Sequence, residues 1–149
     1  MISKQSHVFV STNNYEYKNI PVSTLEKKAW SYFVLSMHTG FNQYDFVPVQ
    51  NIVKGEDDRQ LLDLTFRNSV DKEYNIVCTP DQKFFTKNRG YVAASKIKSV
   101  DLIFDECGRY CRLVECKPVS ENTEAHELFN LEVNYNNCFI CNGILVRGA

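Results

Sequence analysis

The sequence predicts a mostly-β domain: many short antiparallel strands with one or two short helices. Three observations carry this. Segments rich in Val, Ile, Phe and Tyr recur about every 8–12 residues, the rhythm of strand and turn. Turn-forming residues separate them, at Asn13-Asn14, Gly40, Gly55 to Asp58, Asn68-Ser69, Asn88-Arg89-Gly90 and Asn136-Asn137. Helix signals are confined to two places.

The expected strands run in order. Val8 to Val10 comes first, then Tyr32 to Leu35 and Phe46 to Val53. Leu61 to Phe66 follows; within it Leu62-Asp63-Leu64-Thr65-Phe66 alternates with period two, as a half-buried strand does. Tyr74 to Thr79, Tyr91 to Ala93, Leu102 to Phe104, Arg112 to Cys116, Leu128 to Val133 and Cys138 to Val146 complete the set. A helix is expected from Ser23 towards Trp30, with Ser23 as N-cap and Glu26 three residues on. Ala93 to Ile97 predicts one more turn. The stretch from Cys107 to Glu124 holds Gly108, Pro118 and a polar run, and reads as a surface hairpin plus loop. No internal repeat is visible, so residues 1–149 are expected to form one domain.

Composition narrows the classes. With 149 residues, 44% hydrophobic and 13% aromatic, the chain can bury a real core. Lys+Arg 17 against Asp+Glu 18 leaves no basic excess for nucleic acid. No apolar run approaches the roughly 20 residues that span a bilayer. The start, Met1-Ile2-Ser3-Lys4-Gln5, is too polar for a signal peptide, so a cytoplasmic monomer is expected. Without secretory context the six cysteines are expected to be free thiols.

Three segments carry a family resemblance. Met1 to Val10, followed by Tyr17-Lys18-Asn19-Ile20-Pro21-Val22-Ser23-Thr24-Leu25, resembles the opening of inteins. Tyr74 to Thr86, followed by Gly90-Tyr91-Val92-Ala93-Ala94-Ser95-Lys96-Ile97, resembles intein block B, "T-P-D-H-x-F" then "G-W-V-x-A-x-x-L". Gln82 stands there in the histidine's place. Leu128 to Val133 and Cys138 to Ala149 resemble the C-terminal splicing blocks, "Y-D-L-E-V" and "H-x-F-x-x-N-G-I-x-V-H-N". Order, spacing and length agree over essentially the whole chain. The resemblance implies a horseshoe-like Hint fold of the compact kind, with no homing-endonuclease domain.

It also implies a chemistry. Inteins excise themselves by an N-terminal acyl shift, a transesterification and cyclisation of a terminal Asn. An amide is a poor electrophile, so the scissile peptide must be polarised and its nitrogen protonated. By resemblance Met1 holds the place of the Cys or Ser nucleophile, and Thr79 that of the block B threonine. An amide at Gln82 can donate a hydrogen bond but cannot shuttle a proton near neutral pH. Lys83, next to it, would point to the opposite face of an extended strand. Asn130 takes the place of an Asp that supports the branched intermediate, and Asn137 that of a histidine. At the end two registers are open. Spacing from Asn142-Gly143 puts Arg147 at the penultimate His, Gly148 at the terminal Asn and Ala149 at the first extein residue. In the other, slightly preferred here, Ala149 replaces the Asn itself. A thioether at Met1 cannot form a stable ester and Ala149 cannot cyclise, so the chain as written is expected not to splice. Its implied partners are flanking extein segments in cis, or a complementary intein half if the protein is split. No cofactor and no metal are needed.

Plainer readings stand beside these. Thr79-Pro80-Asp81 alone would be an ordinary turn, and Gln82 and Asn137 could be surface residues. His7, His38 and His126 fall in no recognisable site. Cys107, Cys111, Cys116, Cys138 and Cys141 could offer thiolates to zinc, but Cys138 and Cys141 sit three apart in an expected strand and would face opposite ways. Cys78 reads as a buried small residue. The rival functions are Hint-type autocleavage without ligation and a degenerate, non-catalytic Hint domain.

Overall fold

Strand-forming side chains at alternate positions make extended backbone along most of this chain. The computed structural model describes residues 1–12, 16–28, 31–38, 43–57, 59–119, 126–133 and 136–149. The expected turns at Asn13-Asn14 and Gly40, the core role of Trp30 and the polar run at 120–124 lie outside the described residues. Among those described, the first strands are β1 (Ile2–Ser3), β2 (His7–Thr12), β3 (Tyr17–Pro21), β4 (Tyr32–His38) and the long β5 (Gln43–Asp57). The middle of the chain forms β6 (Leu62–Asn68), β7 (Glu73–Cys78), β8 (Lys83–Thr86), β9 (Gly90–Ala93) and β10 (Ile103–Phe104). Then come β11 (Tyr110–Pro118), β12 (His126–Val133), β13 (Cys138–Cys141) and β14 (Ile144–Arg147).

All strand pairs are antiparallel, and they close on themselves. The order runs β10-β11-β6-β7-β1-β12-β5-β4-β2-β13-β14-β8-β9, with β3 on β2. Ile103 of β10 faces Cys111 of β11 and also Thr86 of β8, which joins the ends of that path. β5 serves two neighbours in turn: Gln43 to Pro48 pairs with β4, and Val49 to Asp57 with β12. Closure matters for the site. It puts β1, at one chain end, between β7 and β12, and β14, near the other, beside β8.

β11 contains the strand expected from Arg112 to Cys116, and it pairs with β10 across the turn at Gly108 as a hairpin. Tyr110–Pro118 is a regular strand, zipped to β6 from Cys111↔Asn68 to Pro118↔Leu62 with one register shift between Leu113 and Glu115. The expected strand from Cys138 to Val146 is in fact a hairpin. Asn142 (φ 49°) and Gly143 (φ 84°) make the tight turn between β13 and β14, since two successive residues at positive φ match the twist of the flanking strands. A Cβ on Gly143 would also lie 2.3 Å from the Tyr74 ring.

That hairpin runs between two cores. Phe139 and Cys141 pack with Ile2, Phe66, Phe84 and Phe129, while Cys138 and Ile140 pack with Met37, Phe104 and Leu145. Both faces of β13 are therefore buried, which explains its continuous apolar run. Cys138 and Cys141 fall on opposite faces, too far out of line to share an ion.

The helix near Ser23 also differs. Val22–Thr24 is a 3-10 turn with no side-chain cap, and the α-helix α1 begins only at Leu25. Ser23 is inside the turn, so its hydroxyl is not in the capping position. The second expected turn is present as Ala94–Lys96.

The turn after β8 is fixed by an ion pair between the buried Asp101 carboxylate and the exposed Arg89. Arg89 Nε and Nη2 donate to the two oxygens of Asp101 at 2.9 and 2.6 Å, and Asn88 Nδ2 and Lys98 N add bonds at 3.1 and 2.8 Å. The Arg89 bonds hold the Asp101 carboxyl down at about 2, against the opposing effect of its burial. A lowered folded value stabilises the protein above the ordinary carboxylate range and is lost as pH falls towards 2. The contribution is about 1–2 kcal/mol. Asp101→Asn is accordingly expected to cost about that much at pH 7, with wild type and variant converging near pH 2 in denaturant melts. A constant gap across pH would contradict it.

Candidate functional site

Chain closure brings the two termini to one cavity. It has a volume of about 390 Å³ and is lined by Met1, Gln82, Asn130, Arg147, Gly148 and Ala149, with Val53, Arg59, Asp81 and Lys83 completing its wall. Thr79 touches Met1 and Asn137 touches the last two residues, so all eight residues singled out from the sequence lie in this one region.

The first wall is a turn. After β7 ends at Cys78, Gln82 N donates to Thr79 O at 3.1 Å, closing a four-residue turn with Pro80 second, where its fixed φ fits. Two further bonds tie this turn to the 3-10 turn beyond β9: Ala94 N to Gln82 O (2.8 Å) and Ser95 N to Pro80 O (3.0 Å). The segment Gly90 to Ile97 is thus the brace that holds Thr79 to Gln82 in place.

Met1 lies along this turn. Thr79 N donates to Met1 O at 2.9 Å, and the Met1 α-amino group donates to Thr79 Oγ1 at 2.8 Å. The Thr79 hydroxyl has one proton, and the Asp81 carboxylate oxygen at 2.6 Å is a better acceptor than Met1 O at 3.3 Å. Thr79 is itself fully buried. Its hydroxyl therefore receives from the nitrogen of residue 1 and gives to Asp81. The Asp81 carboxyl is held below its usual range, first by the Thr79 hydrogen bond and then by the Arg59 charge, with burial opposing.

Gln82 is 3% exposed, which removes the surface reading. Its Nε2 donates to Arg147 O at 2.9 Å and to Lys83 O at 3.0 Å, and its buried Oε1 has no hydrogen-bond partner among the described residues. One amide thus holds the C-terminal segment. Lys83 also lines the cavity, but its side chain is exposed while Gln82 is buried, as alternate faces require. Asn130 is buried, and its Oδ1 accepts from the next backbone nitrogen, Leu131 N, at 2.9 Å.

The second wall is the end of β14. The Arg147 guanidinium sits 4.6 Å from the centre of the Tyr91 ring, a cation–π contact that turns it from solvent. Asn137, in the left-handed region at φ 50°, clamps the last two residues of the chain. Its Oδ1 accepts from Val133 N, its carbonyl accepts from Gly148 N at 2.7 Å, and its Nδ2 donates to Ala149 O. Ala149 N donates to Leu131 O at 2.8 Å. A Cβ on Gly148 would lie 2.3 Å from both Asn137 Oδ1 and Leu131 O. Gly148→Ala is expected to cost about 1–3 kcal/mol by overpacking, and to free Ala149. Amide exchange at Ala149 checks this: protection unchanged in the variant would contradict the tight packing.

Sequence reasoning missed Asp81, Arg59 and Tyr91. Asp81 holds the Asp place of the block B pattern T-P-D-H-x-F, a signal that its reading as a plain turn residue passed over. Tyr91 occupies the tryptophan place of the block B pattern, which is a usable signal. Cys78 borders Thr79 but is fully buried, and burial pushes its thiol up to about 12, so it is protonated at neutral pH. His7 meets the far hairpin through its backbone nitrogen, at Asn142 Oδ1.

No protein-family sequence model matches this chain, and no curated protein matches it in sequence. Solved structures match over nearly its full length. A DnaB intein from Synechocystis sp. PCC 6803 superposes with a TM-score of 0.77 at 14% identity, covering 99% of this chain and 97% of that one. A bacterial intein-like domain from Clostridium thermocellum gives 0.77 at 20% identity, covering 99% of each. The gp41-1 intein gives 0.70 at 18% identity, covering 99% of this chain and 97% of that one. With its closed antiparallel strand order and both chain ends at one cavity, this chain has the intein, or Hint, fold.

Proposed function

We propose that residues 1–149 are one self-processing domain that acts on polypeptide fused to its ends in cis, by acyl transfer and without a cofactor. The observation that carries this is the contact between the nitrogen of residue 1 and Thr79 Oγ1, at 2.8 Å, within reach of the C-terminal residues. That nitrogen is the leaving atom of an N-terminal acyl shift. Splicing requires a nucleophile at residue 1 and an Asn at the C-terminal junction, and Met1 and Ala149 supply neither, so the test restores both.

The test is a fusion between two reporter segments carrying Met1→Cys and Ala149→Asn, the second segment starting with Cys. A parallel fusion carries Gly148→Asn instead, with Ala149→Cys as the first residue of the second segment. A ligated product by mass spectrometry in either supports splicing. A specific observation favours a second reading, cleavage without ligation: position 148 has no space for an asparagine side chain beside Asn137. That reading expects release of the first segment by thiol and no ligation from either fusion. Neither cleavage nor ligation would make the domain a non-catalytic Hint relative.

A further inference from the structure

We infer that Asp81 is a positioning residue that acts through Thr79 on the nitrogen of residue 1, in the place where Gln82 offers no titrating group. The inference rests on the self-processing reading above and deepens it. Its basis is a chain of hydrogen bonds: Met1 N to Thr79 Oγ1 at 2.8 Å, Thr79 Oγ1 to Asp81 Oδ1 at 2.6 Å, and Arg59 Nη2 to Asp81 Oδ1 at 3.3 Å.

The Asp81–Arg59 pair does little for stability. Their side chains are 66% and 50% exposed, and such pairs contribute little. What Asp81 does inward is different. An ionised carboxylate drawing the Thr79 proton leaves the hydroxyl oxygen as an acceptor only, aimed at the nitrogen of residue 1. The groups facing Asp81 are the Thr79 hydroxyl, the Arg59 guanidinium and the α-amino group of Met1, with the protonated Cys78 thiol behind.

The reaction shows why that polarity is useful. With Cys at residue 1, its sulfur attacks the carbonyl carbon of the preceding residue. A carbon–sulfur bond forms, the carbon–nitrogen bond breaks, and the thiol proton ends on the departing nitrogen. A second proton, from water, makes that amine an ammonium. The nitrogen gains positive charge along this path, and an acceptor oxygen backed by a carboxylate stabilises the charge as it grows. The unacylated α-amino group of Met1, bonded to Thr79 Oγ1, is the chemical counterpart of that product amine. Asp81 thus favours the thioester side of an exchange that otherwise lies towards the amide.

Two measurements test this. In the chain as it is, the Asp81 carboxyl is titrated by carbon-13 NMR with and without the Thr79 hydroxyl. Thr79→Val is expected to move the titration upward towards the ordinary carboxylate range. An unchanged titration shows that the link does not exist and overturns the inference. The second uses the full chain with Met1→Cys behind a short peptide, with peptide release followed at saturating dithiothreitol. Asp81→Asn is expected to slow release on the order of tenfold, with Asp81→Glu recovering part of the loss. The parent should also lose rate in acid as Asp81 protonates, and Asp81→Asn should lack that limb. Equal rates in parent and Asp81→Asn overturn the inference alone. A parent that releases no peptide overturns the self-processing reading, and this inference with it.

Discussion

Thr79→Val, in a Met1→Cys chain carrying an N-terminal peptide, is expected to slow thiol-induced release by on the order of 100-fold. Valine keeps the shape and removes the hydroxyl oxygen that accepts from the nitrogen of residue 1. The backbone bond from residue 79 N to Met1 O survives, so the substrate peptide should still dock. The loss should therefore fall on the rate at saturating thiol rather than on folding. A Thr79→Ser variant should retain most activity, since it keeps the hydroxyl. If Thr79→Val and Thr79→Ser behaved alike, the hydroxyl would have no part in the shift.

Asp105→Ala is expected to be the most destabilising of the substitutions considered, at about 3–5 kcal/mol in urea unfolding. Asp105 is fully buried, yet it holds together four separate parts of the closed sheet. Its Oδ2 accepts from Asn68 Nδ2 at 3.1 Å and from the Tyr74 hydroxyl at 3.0 Å. Its Oδ1 accepts from Cys107 N and Arg109 N, each at 2.8 Å, which shapes the loop between β10 and β11. The Tyr44 hydroxyl reaches its carbonyl from β5, and Asp105 bridges to Ile144 of β14. Alanine would leave these four donors without their acceptor, and the penalty is the desolvation of each rather than one lost bond. Burial, helped by the bond to Asp105, also raises the Tyr74 phenol well above its usual range. A cost below about 1 kcal/mol would show that the loop re-forms around water.

The strands were legible because their physics is local. β6 shows the apolar alternation that a half-buried strand requires, whereas the Asn142-Gly143 turn is hidden inside an apolar run buried on both faces. Residues of the site were legible only through resemblance. Nothing in composition or spacing says that Thr79 meets residue 1, 78 positions away. Asp105 gave no signal at all: a lone Asp before Glu106-Cys107-Gly108 reads as a loop residue, and its role depends on donors from β6 and β7.

Local preference alone makes a β-rich chain with turns at Asn68-Ser69 and Asn88-Arg89-Gly90, because backbone conformation and apolar periodicity act over a few residues. Only the tertiary structure decided that the sheet closes through β10, that Met1 and Ala149 share a cavity, and that Gln82 is buried and holds Arg147 O there. Those facts depend on which distant strands pair, and pairing is chosen by the whole buried surface rather than by any one segment.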